Sequence, residues 1–340
     1  MTEARRVRVI YAGGTIGMVP GPDGFVPAPD LPARISAAVA AAGRATPPFS
    51  FSGSLTPIDS AEAVPADWFR IAEAVRAALA EAEGVVVLHG TDTLAHAAAS
   101  LTLQLGRPGG SVVVTGAQIP FGIDGSDALA NVLDALDAAA DPRLDGVSVA
   151  FGGLLLSGAR VTKRSSRAFD AFASPNAPVL GHRGADGRLE IQPPPLHPRT
   201  APELRPVAAP PGRVLSLRIT PGLPAAAFSA LASLQPAAIL VECYGLGTAP
   251  TADGTLTDAI ARATEAGIVV ALVSQCAHGG VSLGTYAAGA PLVTAGALSA
   301  GDMSFEMAFV KLTHLAALGL APDAIGRAFT ANLAGERTPD

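Results

Sequence analysis

The chain has 340 residues, 49% of them hydrophobic and 15% charged, with a net charge of −6. That balance excludes a disordered chain, and the length allows two ordinary cores. No basic stripe marks a nucleic-acid partner, the apolar run Val9–Ala12 is too short for a signal-peptide core, and no uninterrupted apolar segment reaches membrane-spanning length, so cytoplasm is the expected location.

In chain order, Val7–Tyr11 reads as a short strand ending in Gly13-Gly14. Trp68–Glu83 has helical spacing, with Trp68, Ile71, Ala72, Val75, Ala78 and Leu79 on one face. Val85–Leu88 is a solid apolar strand, followed by a helix over Leu94–Leu105. Val112–Val114 is the next strand, Ala128–Ala139 a helix and Val147–Ala150 a further strand. Solid apolar strands alternating with helices predict a parallel, flavodoxin- or Rossmann-like sheet covered on both faces. Pro193–Pro211 holds eight prolines without periodicity and reads as a linker. Beyond it, Val214–Ile219, Ala238–Val241 and Val269–Val273 are strands, while Ala259–Ala266, Met303–Leu318 and Pro322–Asn332 are helices. The expected architecture is an N-terminal α/β domain over residues 1–190, a linker over 191–212 and a smaller C-terminal α/β domain over 213–340. The two cysteines, Cys243 and Cys276, read as small buried hydrophobes in a reducing compartment.

Open parallel sheets bind ligands outside the carboxyl ends of their strands. Three such ends carry Gly beside Thr: Ala12-Gly13-Gly14-Thr15-Ile16-Gly17, His89-Gly90-Thr91-Asp92-Thr93 and Thr115-Gly116-Ala117-Gln118. Taken alone, Thr15, Thr91 or Thr93 reads as a helix cap. Caps need no preceding glycine, however, and three such loops on one sheet edge point to a site. The first loop departs from G-x-G-x-x-G at Thr15, and none of the three contains a G-x-S-x-G elbow.

The chain carries 23 Lys and Arg, yet only Lys163 and Lys311 are lysines. Arginine stays charged, so a retained lysine points to a group that must give up a proton. On this argument alone Lys163 reads equally as an ordinary surface lysine, and Lys311 as a helix-face charge. A threonine nucleophile needs a base, because its hydroxyl hardly ionises at neutral pH. Thr15, Thr91, Asp92 and Lys163 together supply a nucleophile, a relay hydroxyl, a carboxylate and a base, and the glycine-rich loops supply N–H groups for an oxyanion. The reaction class is acyl transfer from an amide or ester to water.

Tyr11–Gly17 and Leu88–Leu94 resemble the two signature segments of bacterial-type L-asparaginases. Asp59-Ser60 with Trp68 resembles that family's substrate-binding loop. Thr162-Lys163 and Phe169–Asn176 resemble its lysine-bearing segment, and Gly301-Asp302-Met303, Glu306, Lys311-Leu312 and Asn332-Leu333 its C-terminal segments. The resemblance spans essentially the whole chain, in order, and is to the cytoplasmic type I group. It implies attack of Thr15 on the side-chain amide of L-asparagine, release of ammonia, and hydrolysis of the resulting ester by water near Thr91 and Lys163. Asp92 and Asp59 would face the ammonium of the substrate and Ser60 its carboxylate, with Gly14, Gly90 and Ala117 lining the site. No metal and no organic cofactor is implied, His89 reads as structural, and the six histidines show no metal-ligand spacing. A homodimer or homotetramer is implied, and the apolar helix Met303–Leu318 fits a subunit interface.

Two departures stand out. Phe25 occupies the lid position where the family usually carries tyrosine; the only tyrosines are Tyr11, Tyr244 and Tyr286. Glu242 stands where some type I members carry an arginine for allosteric asparagine, so no asparagine-driven cooperativity is expected. The rival readings are a glutaminase or another amidase of the same family, and a small-molecule binder weakened in catalysis by Phe25.

Overall fold

The computed structural model describes residues 5–21, 24–28, 30–52, 55–192, 214–283 and 289–339. The chain divides into two compact units, Met1–Pro198 and Arg199–Asp340. The proline-rich segment read as a linker lies outside the described residues.

In the first unit the elements run β1 (Val7–Tyr11), β2 (Met18–Gly21), β3 (Gly24–Pro27), α1 (Leu31–Ala41), β4 (Phe49–Phe51), α2 (Pro65–Leu79), β5 (Gly84–Leu88), α3 (Leu94–Leu105), β6 (Ser111–Thr115), α4 (Ala128–Ala139), β7 (Gly146–Phe151), β8 (Leu154–Ser157), β9 (Thr162–Lys163), β10 (Phe172–Ala173), β11 (Gly181–Arg183) and β12 (Leu189–Ile191). The main sheet has the order β12-β11-β8-β7-β6-β5-β1-β4. The five strands β4, β1, β5, β6 and β7 are parallel. Numbered by first appearance they run 2-1-3-4-5, the flavodoxin-like order, with its switch point between β1 and β5.

The solid apolar strands are buried on both faces, as a parallel sheet requires. Val86 and Leu88 of β5 join one core with Leu31, Ile35 and Val39 of α1 and with the apolar face of α4. Val85 and Val87 face the other way, onto Ile71, Ala72 and Val75 of α2 and Leu94, Ala98 and Leu101 of α3. Proline at the start of α2 fits because the first helical N–H has no partner in the helix, and the Asp67 carboxylate accepts from the Val64 N–H at 2.8 Å.

After β7 the chain turns back through Gly152 and Gly153, at φ +60° and +79°, into antiparallel β8. Positive φ at both central residues is the geometry of a two-residue hairpin, and glycine adopts it without steric cost. β2 and β3 form a separate antiparallel ribbon in which Phe25 pairs with Pro20; the Phe25 side chain lies outside the described residues.

The second unit runs β13 (Val214–Arg218), α5 (Ala225–Ser233), β14 (Ala238–Cys243), α6 (Thr255–Glu265), β15 (Val269–Ser274), α7 (Ala290–Thr294), β16 (Leu298–Ser299), α8 (Phe305–Ala317) and α9 (Pro322–Thr330). Its four strands are parallel, in the order β13-β14-β15-β16. α8 buries Met307, Val310, Lys311, Leu312, His314 and Leu315 within this unit. Most of its apolar surface is therefore already covered, which corrects its reading as an interface helix. Lys311 is likewise not a helix-face charge. It is 0% exposed and donates to Phe329 O, Ala331 O and Glu336 Oε1 at 2.8, 2.5 and 2.5 Å. Cys243 is buried but Cys276 is exposed, so only one cysteine behaves as a core residue. Among the described residues no helix is long and apolar enough to cross a membrane.

Candidate active site

The site forms at the switch point, where three loops interlock. β1 runs into a single 3₁₀ turn, Thr15–Gly17, which starts from Gly14 at φ +90°. A Cβ on Gly14 would lie 2.2 Å from the Gly90 Cα, and one on Gly90 would lie 2.3 Å from Ser60 Oγ. Glycine at both places lets the backbones approach this closely. Thr15 and Thr91, each the next residue along, therefore leave from two touching loops. The third loop is held by a bridge from Gly13 to Ile58 and by the Ile58 N–H on Ala12 O at 3.0 Å.

Lys163 reaches this edge from the β9–β10 ribbon. Its Nζ donates to Thr91 Oγ1 at 2.9 Å and to Asp92 Oδ1 at 2.8 Å. Thr91 is 8% exposed, whereas the Lys163 and Asp92 side chains are 19% and 63% exposed, so the chain of groups runs from a buried hydroxyl out to a carboxylate at the surface. Lys163 pairs with Phe172 across the ribbon, and the Phe172 ring packs edge-on against Phe151 at the end of β7, with centroids 4.9 Å apart. This contact attaches the lysine's ribbon to the main sheet.

Ser60 is 3% exposed and begins a one-turn 3₁₀ helix. Asp59 caps that turn, accepting from the Ala61 N–H at 3.0 Å, and remains at the surface. Ala117 is buried with its side chain in the core, so its backbone is the part left to face a ligand. His89 is fully buried. Its Nδ1 lies 2.8 Å from Gly90 O, and burial holds its pKa below the ordinary histidine value. A neutral, enclosed ring bonded to loop backbone is a structural part.

The cap reading of the threonines fails in detail. Gly14 takes the N-cap place before Thr15, and Thr91 lies outside the cap of α3 and bonds Lys163. Thr93 holds the N-cap position of α3 but makes no cap bond, donating instead to Ser60 O at 2.8 Å.

Sequence reasoning missed the support of the Thr115–Gln118 loop. Asp127 accepts from the N–H groups of Gln118 and Ile119 at 3.0 Å each, and Asn131 donates to Gly116 O at 3.1 Å and to Asp127 at 3.0 Å. Asp127 and Asn131, polar residues four apart at the start of an apolar helix, were the available signal. Lys311, the second lysine, belongs to the second unit, where Phe329 O, Ala331 O and Glu336 hold its amine.

The chain is 36% identical over 339 residues to L-asparaginase 1 of Escherichia coli K12, covering 99% of each. Its fold is similar to that of the thermostable L-asparaginase from Thermococcus kodakarensis, with TM-score 0.86 and 28% identity over 98% of this chain and 100% of that one. It is similar also to L-asparaginase I from Vibrio cholerae, with TM-score 0.83 and 29% identity over 99% and 100%. The asparaginase N-terminal family matches residues 6–196 and the glutaminase/asparaginase C-terminal domain matches residues 213–329, so the chain belongs to the asparaginase family.

Proposed function

We propose that this protein hydrolyses L-asparagine to L-aspartate and ammonia through a threonine ester. The observation that carries the reading is the contact of Lys163 with Thr91 and Asp92 beside the Thr15 turn. Thr15 Oγ1 attacks the side-chain amide carbon, and N–H groups of the glycine-rich loops receive the charge that develops on its oxygen. Collapse of the tetrahedral intermediate breaks the C–N bond; the amide nitrogen takes the proton that the Thr15 hydroxyl gave up and leaves as ammonia. Water then attacks the β-aspartyl ester, freeing aspartate and restoring the Thr15 hydroxyl.

When Lys163 Nζ takes the Thr91 proton across the 2.9 Å contact, Thr91 Oγ1 takes one from the attacking water. Asp92 accepts from the Lys163 ammonium so formed, and a proton returns from it through Thr91 to the Thr15 oxygen as the ester breaks. Asp92 and Asp59 hold the substrate ammonium, Ser60 its carboxylate, and Gly14, Gly90 and Ala117 line the walls. Phe25 supplies no hydroxyl from the lid ribbon.

Ammonia release measured with L-asparagine, L-glutamine and D-asparagine, against Thr15→Ala, tests the reading. Activity dominated by L-asparagine and abolished in the variant supports it. Dominant glutamine activity moves the substrate to the longer amide; one methylene is worth only about 1–3 kcal/mol of discrimination, so minor glutamine turnover is compatible with an asparaginase. Ligand binding without hydrolysis in either protein replaces the enzyme with a binder.

We infer further that the enzyme is a cytoplasmic homodimer or homotetramer. Two unpaired cysteines suit a reducing compartment, and Ile123 and Phe169 are exposed apolar side chains suited to a subunit contact. Cell fractionation and sedimentation equilibrium test these points; a monomer at micromolar concentration overturns the assembly.

A further inference from the structure

The turn that carries Asp59 and Ser60 and the loop that carries Thr91 and Asp92 are distant in sequence, and a single side-chain hydrogen bond links Ser60 to Thr93 across 33 residues. The first turn is fixed internally: Asp59 caps it, and the Ala63 N–H reaches Ser60 O at 3.3 Å. Such a unit keeps its own shape but needs an outside reference to set where it stands. Thr93 supplies one, two residues from Thr91, by donating to the same Ser60 carbonyl at 2.8 Å.

The choice of partner is informative. A threonine at the N-cap position ordinarily bonds an N–H of the first helical turn. Thr93 forgoes that bond, leaving α3 without a side-chain cap, and directs its hydroxyl across to the neighbouring loop. Gly90 packs against Ser60 Oγ on the same side, so Ser60 is gripped by its side chain and by its carbonyl from one five-residue stretch, His89–Thr93.

We propose that Thr93 is a positioning residue that sets the Asp59-Ser60 turn against the catalytic loop. It governs how well the substrate's amino-acid head group is held rather than how fast bound substrate reacts. Asparagine as the substrate rests on the function proposed above. A purely structural threonine would lower stability or kcat without a selective effect on binding.

The test uses the full chain as wild type, Thr93→Val, Thr93→Ser, Ser60→Ala and the Ser60→Ala/Thr93→Val pair. Loss of one hydrogen bond to a positioning carbonyl should raise KM for L-asparagine about 3- to 10-fold in Thr93→Val, with kcat within about twofold of wild type. Thr93→Ser, which keeps the hydroxyl, should restore KM to within about twofold. In the Ser60→Ala background the effect of Thr93→Val should shrink, because the two act through one turn. Should Thr93→Val not fold, Thr93→Ala carries the same expectation. A kcat loss at unchanged KM, failure of Thr93→Ser to restore KM, or full additivity with Ser60→Ala overturns the proposal.

Calorimetric binding of L-asparagine on a Thr15→Ala background separates the two readings. Wild type that does not hydrolyse asparagine, with a Kd that Thr93→Val weakens, removes the asparaginase reading alone. A Kd unchanged by Thr93→Val removes the positioning role alone. No binding at all overturns both.

Discussion

The two lysines of this chain are kept among arginines for opposite reasons, and their donors tell them apart. Lys311 uses all three of its N–H groups, on two carbonyls and the Glu336 carboxylate, with no exposure to water. Lys163 bonds Thr91 and Asp92 and sits at a partly open edge. A cation whose bonding capacity is filled is a structural tie. One at an open edge, beside a hydroxyl and a carboxylate, is placed for the proton transfer of the proposed function.

The surroundings reinforce the contrast. Burial lowers the Lys311 pKa while Glu336 opposes the change. Burial alone would raise the Glu336 carboxyl, but Lys311 and the N–H groups of Leu333 and Ala334 draw it below its ordinary value. The pair is thus charged and closed, and it ties the chain after α9 to α8.

The largest expected effect lies at the open lysine. Lys163→Met should cut kcat by about 10²–10⁴, and Lys163→Arg should not restore it, because arginine keeps its proton. Full activity in the arginine variant would show that charge alone is needed. Next comes the closed lysine. Lys311→Met leaves the Glu336 carboxylate buried without its counter-ion, and should destabilise the chain by about 3–5 kcal/mol in denaturant melts. Activity per folded molecule should stay near wild type, and Glu336→Leu in the same chain should recover part of the loss. An activity loss in folded Lys311→Met would break the division of roles.

A smaller effect follows from His314, fully buried in α8, whose pKa burial lowers to about 3. An unfolded histidine takes a proton near pH 6.5, whereas the folded one resists it. The stability it permits is therefore complete above pH 6.5 and falls by up to about 1.4 kcal/mol per pH unit below. The denaturant midpoint should drop between pH 7 and pH 5, and His314→Leu should flatten that slope; an unchanged slope would place the ring's protonation elsewhere. Smallest is a thiol count. Burial raises Cys243 to about 12, while Cys276 is exposed, so the native chain should consume one equivalent of a thiol reagent and the denatured chain two.

Much of the sheet was legible because its signal is dense. β1, α3 and α4 lie where periodicity puts them, and β5, β6, β7, β14 and β15 extend the predicted strands by one or two residues. Short pieces were lost. β4 has three residues, and what makes it a strand is pairing with β1, which no local pattern displays. The Gly152-Gly153 hairpin and the Leu31, Ile35, Val39 spacing of α1 carried recognisable patterns but lie among loops that drew attention to their glycines. In the candidate site, strand ends singled out the Gly-Thr loops, and lysine scarcity together with the family resemblance singled out Lys163. The Thr93 bond, the Asp127–Asn131 support and the saturation of Lys311 were not, because each depends on a partner supplied by the folded chain.

The amine of Lys163 is mounted on a two-stranded ribbon, and the hydroxyl it bonds belongs to the loop after β5 of the main sheet. The edge-on contact of Phe172 with Phe151 is a joint between those parts, and joints loosen before girders melt. Heating should therefore stop turnover below the temperature at which the sheet unfolds, leaving a folded, silent protein that regains its function on cooling. A tighter aromatic fit at that joint would raise the working ceiling of the enzyme while leaving the melting of its sheet almost unchanged.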